Sequence, residues 1–179
     1  MNLVAIILRA MNRIAQIVVN ISVALWLGGL VALFLFVGAL FKHDRTIAIQ
    51  AAPPLFGIFA TYQLVVGGIG VIALFFWRAS ARSHLVSAII VLFIISLALA
   101  AYVTFSVIPE MEAIRVAGQS GDSPRFKTLH GMSMIFYSSQ TIALLIAAVM
   151  LPFAIAGTAR ATAPARRSRD GIADQVAVR

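Results

Sequence analysis

The sequence predicts an all-α membrane protein: a four-transmembrane-helix antiparallel bundle with both termini cytoplasmic. The main observation is that four windows of 27 to 32 residues contain no Asp, Glu, Lys or Arg. These windows are residues 14–41, 46–77, 83–109 and 128–159. Because about 20 apolar residues cross a hydrocarbon core of about 30 Å as a helix, each window is long enough to span a bilayer.

The composition is the second observation. Hydrophobic residues make up 61% of the chain and charged residues 11%, against about 45–50% and about 25% in soluble domains. The chain has no cysteine, which excludes disulfides, thiolate metal sites, iron–sulfur clusters and c-type haem attachment. The net charge of +8 lies at the flanks of the windows. There it fixes topology and attracts anionic lipid head groups, so we expect the lipid bilayer rather than nucleic acid as partner.

The distribution of basic residues predicts the orientation. Four spans place both termini on one side of the membrane. The N-terminal segment, the second loop and the tail together carry nine Lys or Arg, whereas the first and third loops carry five and also four of the six acids. By the positive-inside rule both termini are cytoplasmic, and we expect a multi-pass protein of a bacterial plasma membrane, the cell inner membrane.

Residues 1–13 form a short N-terminal segment ahead of the first span, about 14–41. Its apolar prefix ends at Arg9 and is either an interfacial helical turn or a frayed end, and Met11 as the true start also stays open. Residues 37–39 resemble a signal-peptide cleavage site. The apolar stretch before them far exceeds the 7–15 residues of a signal, however, so we predict a retained span.

Small residues in the first two spans predict close helix packing. Gly28 and Gly29 follow Trp26 in the first span, and Gly67, Gly68 and Gly70 form a cluster in the second. Glycine lets a neighbouring helix approach closely. No strand precedes the second glycine cluster, so we interpret it as a packing surface and not as a dinucleotide-binding loop. Trp26 lies near mid-span, which favours packing between helices over anchoring among head groups.

Prolines mark the expected limits of the second and third spans. The second span is predicted over about 53–77, because Pro53 and Pro54 are suited to a helix start where no backbone donor is needed. The third is predicted over about 84–108 and ends at Pro109. A third loop of residues 110–127 follows.

The fourth span is predicted over about 128–157, with Pro152 near its inner end bending or terminating the helix. Together the four spans make a membrane domain of residues 14–157. Residues 158–179 contain almost no large apolar side chain, and we predict a basic disordered cytoplasmic tail.

The polar groups inside the spans are neutral. An ionisable group at membrane depth is typical of proton-coupled transporters, and these spans have no acidic or basic side chain. We expect the neutral groups to face the bundle interior and form interhelical hydrogen bonds, with a polar cavity that admits a ligand as the alternative. They are Asn20, Thr61, Tyr62, Gln63, Ser96, Tyr137, Ser138, Ser139, Gln140 and Thr141.

A candidate ligand cluster lies at the predicted outer face. It consists of Glu110, Glu112 and Arg115 after the third span and of His130, Met134 and Tyr137 in the fourth. His130 and Met134 are four residues apart and share a helix face. Because His, Met and carboxylate together bind copper, His130 and Met134 are candidate metal ligands. The alternative is that the carboxylates pair with Arg115 or Lys127 and His130 forms hydrogen bonds at the interface.

No catalytic motif occurs in the sequence. We find no nucleophile with a base and an orienting group, no metalloprotease motif and no phosphate-binding loop. We therefore predict no enzymatic activity, no catalytic residue and no cofactor.

Four short segments carry a family resemblance over about residues 12–157. They are Trp26-Leu27-Gly28-Gly29, Pro54-Leu55-Phe56, Ile108-Pro109-Glu110-Met111 with Arg115, and Phe126 with Leu129-His130-Gly131-Met132-Ser133. With these segments the chain resembles the transmembrane-protein-205-like family. The resemblance implies a four-span membrane domain of undefined biochemical function. The first span is also distantly similar to bacterial copper-resistance membrane proteins, but Asn20 occupies the position at which those proteins carry a His.

Two functions from different classes remain open. The first is a non-catalytic membrane domain that binds a partner protein or lipid, with a homo-oligomer as one form of partner. The second is permeation or copper handling through the polar bundle interior and the outer cluster of His, Met and Glu.

The predicted orientation has a direct test, because the chain has no native cysteine. A cysteine introduced at Ser120 should react with a membrane-impermeant maleimide added outside intact cells, and one at Ser168 should not. Labelling of the two positions after lysis is the control, and the reverse pattern would contradict the orientation.

Overall fold

The computed structural model describes residues 3–81, 83–118 and 123–162. These residues are 96% helical and include no strand. The elements are α1 (Leu3–His43), α2 (Arg45–Ser80), α3 (His84–Tyr102), a π-helical segment (Val103–Val107), α4 (Ile108–Val116) and α5 (Pro124–Thr162). The labelling positions 120 and 168 and most of the predicted tail lie outside the described residues.

Four helical stretches are long and apolar enough to cross a membrane. They are Arg9–His43, Arg45–Ser80, His84–Val116 and Pro124–Arg160. Their outward surface is apolar: Leu35, Ile58 and Phe105 are each at least 70% exposed. Soluble proteins rarely expose contiguous apolar surface of this kind. The chain is therefore a multi-pass helical membrane protein.

One residue separates α1 from α2. Asp44 has an extended backbone and is the N-cap of α2, where its carboxylate accepts hydrogen bonds from the backbone N–H groups of Thr46 (2.7 Å) and Ile47 (3.2 Å). Such a cap satisfies donors that the first turn of a helix leaves unpaired. The first loop is thus shorter than the four residues between the charge-free windows suggest.

The prediction that α2 begins at Pro53 is wrong. The helix begins at Arg45, and both Pro53 and Pro54 lie inside it. The cap from Asp44 starts the helix two turns earlier, and the following helical backbone accommodates the prolines. Pro152 likewise lies inside α5, which continues to Thr162 and does not terminate there.

The third transmembrane stretch contains a widened turn that the sequence analysis missed. Residues Val103–Val107 are π-helical, and Pro109 follows two residues later. Proline has no N–H to donate to the carbonyl four residues before it, here that of Phe105, and its ring clashes with that carbonyl. A wider turn relieves the clash. The helix then continues to Val116, so the third loop is also shorter than predicted.

Contacts among the transmembrane helices form a closed ring. α1 packs most extensively against α2, α2 packs against α3, and α3 packs against α5. The contact between α5 and α1 closes the ring and is the least extensive of the four. The described chain is therefore a helix bundle whose loosest seam lies between α1 and α5.

Three glycines set the closest approaches. A Cβ at Gly67 would lie 2.6 Å from the ring of Trp26, and one at Gly70 would lie 2.6 Å from the ring of Phe93. Trp26 and Phe93 contact each other edge-to-face, with centroids 5.9 Å apart. Gly29 lies against the ring of Phe59 in the same way. The two large rings thus occupy space that only glycine leaves on α2.

The other two predicted packing glycines have a different position. A Cβ added at Gly28 or Gly68 would meet no atom within 4 Å. Neither residue packs against another helix among the described residues, whereas Gly70 of the same cluster does.

Neighbouring glycines of α2 provide a matched test of this packing. Gly67→Ala should destabilise the bundle by about 1–3 kcal/mol, because the new methyl group overlaps the Trp26 ring. Gly68→Ala should be neutral or stabilise by up to about 1 kcal/mol, because alanine is the better helix former and the site is open. Unfolding free energies in mixed micelles measure both, and equal stability of the two variants would contradict the packing.

Candidate functional site

The charged residues of the predicted outer cluster are held in two ion pairs. Arg115 donates from Nε to Glu112 at 2.7 Å and makes a second bond from Nη2. Arg125 donates from Nε and Nη2 to the two carboxylate oxygens of Glu110, at 2.6 and 2.9 Å. The second pair joins α4 to the first turn of α5. Either carboxylate would have to leave an arginine before it could bind another ligand.

The remaining members of the cluster lie in three different environments. His130 is exposed and stacks on Phe126, with ring centroids 6.4 Å apart and planes at 2°. Met134 is 40% exposed, whereas Tyr137 is only 2% exposed and lies in the core. Among the described residues, no three His, Cys, Asp or Glu side chains are close enough together to hold a metal ion.

Tyr137 occupies an aromatic cage inside the bundle. Its ring lies 6.0 Å from Phe34, 5.7 Å from Phe56 and 6.4 Å from Phe59, measured between centroids. The Gln63 amide approaches the Tyr137 hydroxyl without reaching hydrogen-bond geometry. The side chain thus combines an apolar cage around its ring with a polar neighbour at its tip.

Four buried polar residues form what we name the polar core. They are Gln63, Ser96, Tyr137 and Gln140. Their side-chain oxygens and nitrogens have no hydrogen-bond partner within the described part of the chain. An unpaired buried polar group costs about 1–3 kcal/mol. The interior therefore offers donors and acceptors to any small polar molecule that reaches it.

Ten neutral polar residues were expected to face the bundle interior. For most of the six that lie outside the polar core, this expectation is wrong. Asn20, Thr61, Ser138 and Ser139 are exposed. Such exposed groups can still form hydrogen bonds to the backbone of their own helix. The Asn20 side-chain amide, for example, donates to the Gln16 carbonyl at 2.8 Å.

The seam between α1 and α5 has two openings. The first, which we name the seam groove, has a volume of about 320 Å³. It is lined by Phe34, Met134, Ser138, Thr141 and Ile142. The groove is apolar except for two hydroxyls, one of which, on Thr141, donates to the Tyr137 carbonyl at 2.9 Å.

The second opening lies at the other end of the same seam, and we name it the basic pocket. Its volume is about 280 Å³, and it is lined by Arg9, Asn12, Arg13, Gln16, Ile155, Thr158 and Ala159. Gln16 Nε2 donates across the seam to Thr158 Oγ1 at 3.4 Å. The pocket therefore combines two positive charges with amide and hydroxyl groups.

The basic pocket was not predicted from the sequence. Arg9 and Arg13 are four residues apart, so they share a helix face. That spacing was the available signal. The other side of the pocket comes from residues more than 140 positions away, and nothing in the local sequence links the two segments.

These features define the chain as a multi-pass helical membrane protein with a polar core and an open seam. No family model matches it, and neither a curated protein nor a solved structure does.

Two tyrosines provide a matched test of the polar core. Tyr62 donates from its hydroxyl to the Leu25 carbonyl at 3.0 Å, so Tyr62→Phe should lower the free energy of unfolding by about 0.6 kcal/mol. Tyr137→Phe should leave it unchanged or raise it, because the hydroxyl that is removed has no partner. Unfolding in mixed micelles measures both. A larger loss at Tyr137 than at Tyr62 would show that the core hydroxyl is hydrogen-bonded, to Gln63, a water molecule or a ligand.

Proposed function

We propose that this protein is a non-catalytic membrane domain that binds lipid along the seam between α1 and α5. The observation that carries the proposal is the pair of openings on that one seam, an apolar groove and a basic pocket. A phospholipid has the same two parts, an acyl chain and a charged head group. A protein partner, including a second copy of the chain, is the other occupant that the test below can reveal.

The proposal includes an antiparallel bundle with both termini in the cytoplasm of a bacterial cell. Support for the arrangement comes from pairs of neighbours on α1 and α2: Trp26 with Gly67, and Ser22 with Gly70, so residue numbers rise on one helix as they fall on the other. Support for the orientation is the excess of basic residues, nine against five, on the side of the termini. On this orientation the basic pocket faces the cytoplasmic leaflet.

We also propose membership of the transmembrane-protein-205-like family. The segments that resemble the family lie at the packing and interface positions described above, such as Trp26 and the ion-paired Glu110. The family implies a membrane domain without a defined reaction, in agreement with a binding role.

Neighbouring serines of α5 test the lipid-binding seam. Ser138 lines the seam groove, whereas Ser139 is exposed but does not line it. Tryptophan at position 138 should fill part of the groove and reduce retained lipid several-fold, and tryptophan at 139 should not. Native mass spectrometry of the detergent-held protein measures lipid retention. Wild-type protein that carries no lipid, or equal retention by both variants, would overturn the proposal.

A second candidate function is permeation or metal handling. The observation in its favour is the polar core, whose unpaired amides and hydroxyls lie inside the bundle. Flux of a small neutral solute into proteoliposomes that falls on Gln63→Leu would support permeation. Copper that co-purifies and is lost on His130→Ala would support metal handling, and metal-free protein would exclude it.

A further inference from the structure

We infer that the basic pocket binds the phosphate group of an anionic phospholipid whose acyl chain lies along the same seam. The inference rests on the proposed lipid-binding function and adds the head-group class and the residues that select it. It depends on the charge of the pocket, its hydrogen-bonding groups and its distance from the seam groove.

Among the described residues, no acidic side chain neutralises the positive charge of the basic pocket. Arg9 and Arg13 both line it. The three described acids are used elsewhere: Asp44 caps α2, while Glu110 and Glu112 are paired with arginines near the other end of the seam. Arginine binds phosphate through two parallel N–H donors. The pocket thus offers an anion two guanidinium groups, each with two such donors.

Neutral groups complete the pocket. The Asn12 side-chain oxygen is buried and has no hydrogen-bond partner within the described chain. The amide nitrogen of the same side chain, which lines the pocket, supplies N–H donors that a phosphate oxygen can accept from. Gln16 and Thr158 join the two helices beside it. A volume of about 280 Å³ is many times the approximately 30 Å³ share of one water molecule, so a phosphate with its glycerol fits.

Along α5, the near edges of the two openings are about one membrane leaflet apart. Ile142 lines the seam groove and Ile155 lines the basic pocket. Ile155 follows Ile142 by 13 positions, about 20 Å along a helix, whereas on α1 Phe34 follows Gln16 by 18 positions, about 27 Å. Half of a bilayer that is about 40–45 Å thick with its head groups is about 20–22 Å. A lipid with its phosphate in the pocket would therefore bring its chain end to the α5 edge of the groove, which a free phosphate ion cannot do.

Charge-neutralising variants test the head-group site. The protein is held in nanodiscs of phosphatidylcholine with a minor fraction of phosphatidylglycerol, and the bound lipids are identified by native mass spectrometry. Wild type should be enriched in phosphatidylglycerol. Arg13→Gln should weaken this preference about fivefold, and Arg9→Gln with Arg13→Gln about 30-fold, since each arginine contributes comparably. Arg78→Gln, which removes one charge outside the pocket, should change it less than about twofold.

A further experiment distinguishes a phospholipid head group from a free phosphate ion. Inorganic phosphate added to the detergent-held protein should neither bind in stoichiometric amount nor displace phosphatidylglycerol. Stoichiometric binding of phosphate alone, abolished by the double variant, would overturn the lipid assignment. Equal loss of preference in Arg13→Gln and Arg78→Gln would show that only the general surface charge acts, and would also overturn it.

The readouts distinguish this inference from the proposed function. Loss of the inferred site changes the ratio of the two lipids while the total retained lipid stays constant. Failure of the proposed function appears instead as absence of retained lipid in wild type, or as retention that tryptophan at position 138 does not affect.

Discussion

The constraint on which this structure depends is that hydrocarbon supplies no hydrogen bond to the backbone. Each unpaired N–H or C=O inside a bilayer costs several kcal/mol, so a spanning segment must satisfy its own backbone. The described helices are accordingly long, 41 residues in α1 and 39 in α5. The same constraint explains why Pro53 and Pro152 are absorbed inside helices: ending a helix at membrane depth would leave more groups unpaired than one proline does.

Helices that satisfy their own backbones still need a reason to associate in lipid, because burying apolar side chains among lipid chains gains little. Here that reason is close packing on α2. Gly67 and Gly70 receive the rings of Trp26 from α1 and Phe93 from α3, and these contacts hold α1, α2 and α3 together. No glycine of the described part of α5 has such a neighbour. The seam between α1 and α5, the least extensive contact of the ring, has no such close approach, and both openings lie on it.

The number of long apolar helices could be predicted from the sequence, because exclusion of charge is a property of each segment alone. Details that depend on contacts with another part of the chain could not be predicted. The helix start at Asp44 depends on a cap that outweighs Pro53, and the widened turn before Pro109 depends on local clashes. Which glycine faces a partner is a matter of helix rotation, so the sequence could not distinguish Gly67 and Gly70, which meet aromatic rings, from Gly68, which does not. Glu110 pairs with Arg125 and not with Lys127. Which basic side chain comes within reach depends on the relative position of α4 and α5, and the local sequence does not reveal that.

Because a single residue separates α1 from α2, an insertion there would change how α2 packs. With only Asp44 at the corner, the rotational phase of α2 relative to α1 is set there, since each helical residue turns about 100° around the axis. One extra residue inserted beside Asp44 would advance all of α2 by that angle and bring Val66 to the place where Gly67 now faces the indole of Trp26. The corner thus fixes an angular register over more than 20 residues, and a length change there would disturb the middle of the membrane rather than its edge.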